Sequence, residues 1–156
     1  MPNITIEINS QQVDAMLSSL IRQGTNLTPA LGEIGHSMVG LIDLLFINTE
    51  TPDGAQWPEL SPVTKKRRRD GSEKPLNDTG ILKNSITSNV LNGASVEAGS
   101  NIKYAAMQNY GGKKSAFPHL WGDIPARQFL PTSQLPEAWG NDVIGIINRH
   151  IQRGLG

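Results

Sequence analysis

"SITSNVLNGASVEAGS", residues 85–100, is the stretch on which the fold turns. Apolar and polar side chains alternate on either side of Asn92-Gly93, a pair suited to the left-handed backbone of a tight β-turn. A two-residue loop sets Asn89 opposite Val96. A three-residue loop, Asn92 to Ala94, matches Val90 with Val96 and Asn89 with Glu97, and is preferred because each face stays chemically consistent. Either way the segment reads as an antiparallel hairpin.

Upstream, "ITIEI" (4–8) alternates like a half-buried strand. Ser10 then caps a helix carrying Val13, Met16, Leu17, Leu20 and Ile21 at three-and-four spacing, with Gly24 as its stop. A second helix opens with Thr28 as cap and Pro29 at the first helical position, and runs to about Phe46 through Leu31, Ile34, Met38, Leu41, Ile42 and Leu45. Gly32, Gly35 and Gly40 each weaken it by about 1 kcal/mol relative to Ala, a loss recovered only where another segment packs closely. Downstream, residues 101–112 start extended and turn helical from Tyr104 to Tyr110, "IPARQFL" (124–130) returns a strand, and Pro136 opens a final helix with Trp139, Val143, Ile146, Ile147 and Ile151 on one side. The expected fold is α+β: a small, mostly antiparallel sheet packed by two N-terminal helices and a C-terminal helix, with long irregular loops.

Two of those loops stand out within one expected domain of 156 residues. From about 48 to 77 periodicity vanishes, and six Pro and Gly residues punctuate a stretch too long for an ordinary connector. Trp57 and Leu60 are expected to fasten its near end to the core, leaving Lys65, Lys66, Arg67, Arg68 and Arg69 on a mobile basic segment. A second loop is expected at about 111–124. Asp78 is the expected cap of a short helical turn between hairpin and first loop.

Charge is balanced in total but unevenly placed: residues 61–74 carry net +4 and the remainder −4. The cation run has three readings: a solvated loop, a charged partner surface or an address tag. No aromatic side chain interleaves with the cations to stack bases. The absence of cysteine removes disulfides, thiol nucleophiles and thiolate metal sites. The N-terminal residues lack the pattern of a signal peptide, and the apolar runs are expected to fall short of a membrane span.

Nothing in the spacing favours catalysis. His36, His119 and His150 form no helical metal pair. "YGGKKS" (110–115) fails as a phosphate loop because the earlier glycine is missing and Lys114 replaces the magnesium-holding hydroxyl. No serine sits in a Gly-x-Ser-x-Gly elbow. The distinctive residues are anchors and turns instead. Tyr104 precedes Ala105 and the glycine pair, and Arg127 lies between Pro-Ala and Phe129-Leu130. Arg127 reads either as the partner of a carboxylate or as an ordinary surface arginine.

"GAQWPELSPVT" (54–64), the basic run, "LNDTGILKNSI" (76–86), "VEAGSNIKYAAMQNYGG" (96–112) and "IPARQFL" together resemble the Mu-like phage virion morphogenesis family, to which the tail completion proteins of P2-type phages are similar. The chain departs from that pattern at Gln108, where relatives tend to carry His, and at Lys114 and "FPHLWGD" (117–123). The resemblance implies a non-enzymatic structural protein without cofactor, acting at the head–tail junction or in tail completion as a ring, commonly sixfold. Its partners are then sister copies and neighbouring connector or tail-tube proteins, with non-specific DNA contact through residues 65–69 as the alternative and no membrane. The expected location is the virion neck or tail end, reached from the host cytoplasm. The expected contact residues are Lys65 to Arg69 and Arg127; the expected loop anchors are Trp57, Leu60, Tyr104 and Phe129.

Overall fold

A computed structural model describes residues 11–22, 25–69, 71–132 and 134–154. The expected strand at 4–8, the Ser10 cap and the Gly24 stop lie outside the described residues. Among those described, the elements run α1 (Gln11–Arg22), α2 (Thr28–Asn48), α3 (Pro62–Arg67), α4 (Ile81–Asn84), β1 (Thr87–Leu91), β2 (Ser95–Gly99), α5 (Ala105–Tyr110) and α6 (Glu137–Gly154). The class is α+β with a small two-stranded antiparallel sheet.

The chain groups into two compact units, each discontinuous in sequence. The first comprises Ile42–Ile86 and Gly99–Leu130; the second comprises, of the described residues, 11–41, Thr87–Ala98 and 131–154.

In the second unit α1 packs against α6. Val13 and Leu20 of α1, Leu31, Ile34 and Met38 of α2, and Trp139, Val143, Ile146 and Ile147 of α6 are buried. Their three-and-four spacing gives each helix one apolar face, and each such side chain contributes about 1.5–3 kcal/mol on leaving water. Helix α2 begins at Thr28, so the residue expected as its cap is itself the first helical one, and the Thr28 N–H donates to Asn26 Oδ1 at 3.2 Å. Glu33 faces Arg149 at 3.1 Å and Arg153 at 3.9 Å, and the Ser37 hydroxyl donates to Asp142.

The hairpin has five-residue strands joined by residues 92–94. Asn92 (φ 53°) and Gly93 (φ 65°) are both left-handed, and the Ala94 N–H closes on Leu91 O at 3.0 Å. It lies against α2 at Gly35, where a Cβ would stand 2.6 Å from Ser88 Oγ and 3.0 Å from Val96 Cγ2. Gly35 is therefore required by close approach. Gly32 and Gly40 face open space, so their cost to the helix is not recovered by packing.

The end of α2 enters the first unit and buries Ile42, Leu45 and Phe46. With 21 residues and a mean hydropathy of 1.5 over its most apolar 18, α2 does reach the length and composition of a membrane span, contrary to the sequence expectation. Its apolar surplus has a structural use, since 44% of that window is buried inside the protein.

"IPARQFL" forms no strand; only an isolated bridge joins Ile124 to Gly112. Pro125 lacks an N–H, and the following donors are taken elsewhere. Arg127 N–H goes to Gln108 O at 2.9 Å, and the N–H groups of Phe129 and Leu130 both go to Asn109 Oδ1 at 3.0 Å. One side chain here replaces a β-ladder.

Candidate functional site

The first long loop is more ordered than its sequence implies. Its start is a closed turn: Glu50 bridges Gln56, and Thr51 N–H reaches Ala55 O at 2.7 Å. Trp57 is buried edge-on against Phe46 with ring centroids 5.5 Å apart, and its indole N–H donates to Gln128 O at 2.8 Å. Leu60 and Phe129 are also buried, Phe129 lying 5.2 Å from Phe46 between ring centroids. Tyr104 is placed otherwise: it is 45% exposed and precedes α5 on the wall of a cleft.

Helix α3 occupies part of the expected irregular segment. Ser61 caps it by accepting Thr64 N–H at 3.2 Å, Pro62 sits at its start, and Lys65, Lys66 and Arg67 fall in the last turn, where cations complement the helix dipole. The five cations are thereby divided. Lys65 pairs with Glu59 at 3.4 Å and Glu73 at 3.7 Å, while Lys66, Arg67 and Arg69 are exposed. The Arg68 side chain is only 8% exposed. Its Nη1 makes no hydrogen bond, and the carboxylate of Asp78 stands 3.8 Å away. Asp78 does not cap α4, whose N-cap is Gly80 without a side-chain bond.

Arg127 is 6% exposed and pairs with carbonyls rather than with a carboxylate. Its Nε donates to Pro58 O at 2.8 Å and its Nη2 to Glu59 O at 2.9 Å. The forked guanidinium thus fastens the first loop to the segment that follows the second. Burial, and then the neighbouring Arg68 charge, push the Arg127 guanidinium below its ordinary value. Guanidinium groups nonetheless keep their proton in proteins, so the site stays cationic.

Arg68 and Arg127 both line a cleft of about 580 Å³ in the first unit. Its walls include Leu60, Thr64, Thr79, Tyr104 and Gln108, and the carboxylates of Glu59, Asp78 and Asp123 stand around it. Glu59 and Asp78 have side chains 88% and 49% exposed, so positive charge lies deep and negative charge shallow. Among the described residues no group of three or more His, Asp or Glu side chains is placed to hold a metal ion.

The second loop is closed at its neck by Gly112 N–H to Ile124 O at 2.9 Å and Ile124 N–H to Gly112 O at 2.7 Å. Gly111 (φ 74°) permits that closure, because a Cβ there would lie 2.8 Å from the backbone at Ile124 and Ala126. Lys114 N–H is held by Asp123 at 2.8 Å. Tyr110, Phe117 and Trp121 remain exposed, Trp121 fully.

Two residues escape a reading by spacing alone. Asn109 gives no signal except that it shares a helical face with Ala105, four residues earlier, and both are fully buried. Arg68 is indistinguishable from its neighbours within the run.

Neither the curated proteins nor the solved structures gave a significant match to the chain. The family model for phage virion morphogenesis matches residues 8–152, a span that takes in both units, the cleft and both loops. On that match, the chain belongs to the phage virion morphogenesis family.

Proposed function

We propose that this protein works structurally within the phage particle, at the head–tail junction or in tail completion, as one protomer of a ring, and that it catalyses no reaction. Family membership supports the broader statement, a structural or assembly role in the phage virion. The observation that carries the finer reading is the exposed apolar surface of the first unit. Among the described residues it leaves Leu44, Ile47, Val63, Ile81, Tyr104, Tyr110, Phe117 and Trp121 exposed, whereas the second unit leaves Ile21 and Leu91. A fully exposed indole on a loop closed at its neck is costly in water and valuable in a contact, where aromatic side chains dominate binding energy. Contacts between unlike faces of successive copies close into a ring when the rotation allows. The exposed cations Lys66, Arg67 and Arg69 favour a second reading, contact with DNA, but supply three charges instead of five.

Quantitative mass spectrometry of purified heads and tails, analysed separately, tests the proposal. A copy number that is a multiple of six in one fraction is expected. Absence from both fractions overturns it.

A further inference from the structure

We propose that the cleft between Arg68 and Arg127 is a receptor for a single carboxylate carried on a protein segment, an acid flanked by neutral or basic residues. The inference rests on the assembly reading only in taking the ligand to be part of another protein.

Three observations carry it. First, the deep part of the cleft holds two guanidinium groups whose charges are poorly met. The polar contacts of Arg127 are carbonyls, and the Asp78 carboxylate is beyond hydrogen-bond reach of the unbonded Arg68 Nη1. Buried donors without partners are expensive, and like charges in a low-dielectric site repel. An entering carboxylate relieves both, because it accepts from the free Arg68 Nη1 and sets a negative charge between the two guanidinium groups. Second, the shallow carboxylates of Glu59, Asp78 and Asp123 repel a polyanion. A nucleic-acid backbone, with a phosphate at every step, meets Asp78 and Asp123 as well as Glu59, whose charge Lys65 offsets only in part. One acid between uncharged neighbours passes them. Third, the walls offer apolar surface at Leu60, Ile81 and Pro125 beside hydroxyls at Thr64 and Thr79, a mixture suited to peptide.

The test uses the full chain and four probes: N-acetylaspartate amide, its asparagine counterpart, inorganic phosphate and a short DNA duplex. Arginine Nε–H resonances are followed by 15N-edited NMR during titration. Saturable shifts of Arg68 and Arg127 with the aspartate probe, half-complete at roughly millimolar concentration, are expected, with none from the asparagine probe. Arg68→Lys, which keeps the charge and loses the fork, should weaken the response about tenfold. Asp78→Asn, which removes the competing carboxylate, should strengthen it severalfold, an effect that a purely structural Arg68 does not produce. No shift with the aspartate probe, equal shifts from asparagine, or stronger binding of phosphate or DNA overturns the proposal. Any of these leaves the assembly reading standing, because that reading is measured on particles.

Discussion

Asn109 Oδ1 accepts the Phe129 N–H at 3.0 Å, and the same oxygen also takes the Leu130 N–H. All three residues are fully buried. Asn109→Ala leaves two buried donors without an acceptor, at about 1–3 kcal/mol each. Urea denaturation should show a loss of about 2–5 kcal/mol with little change in slope. A loss below about 1 kcal/mol contradicts the role assigned to this side chain.

Arg127→Lys tests the clamp on the first loop. Lysine retains charge but not the two directed donors now reaching Pro58 O and Glu59 O. A loss of about 1.5–3 kcal/mol is expected, together with faster amide exchange around residues 57–60. Unchanged exchange there would mean that Trp57 holds the loop by itself.

The glycines of α2 separate by environment. Gly35→Ala forces a Cβ to within 2.6 Å of Ser88 Oγ and should destabilise by about 1–3 kcal/mol. Gly40→Ala meets nothing within 4 Å and should stabilise by up to about 1 kcal/mol. Thermal melts of the two variants should therefore move in opposite directions.

The DNA reading has a quantitative signature. With Lys65 held by Glu59 and Glu73 and Arg68 buried, only Lys66, Arg67 and Arg69 are free to meet phosphates. The slope of log affinity against log salt from residues 65–69 should then be no steeper than about −3 for duplex DNA. A slope near −4.5, abolished by replacing all five cations with Ser, would indicate that the whole run unfolds onto the backbone.

Much of the fold was legible in local chemistry. Asn92-Gly93 marked the hairpin, and the apolar stripes of α1, α2 and α6 marked the helices that bury them. Helix α3 lies in the stretch expected to be irregular, because a six-residue helix has too few residues to show periodicity; its local signals are the Ser61 cap and Pro62. "IPARQFL" looked like a strand, and its pattern was honest about burial at Phe129. What the pattern could not carry was the identity of the hydrogen-bond partner, a side chain about twenty residues away. The division of the cation run failed for a similar reason. Nothing local distinguishes Arg68 from Arg67, and only the distant approach of Arg127 and Asp78 makes one of them interior.

Gold labelling of purified particles with an antibody to this chain, viewed by negative-stain electron microscopy with heads and tails compared separately, tests the central claim most directly. A single labelled position per particle, at the neck or at one end of the tail, is the predicted result. Unlabelled particles, or label spread along the whole surface, would contradict it.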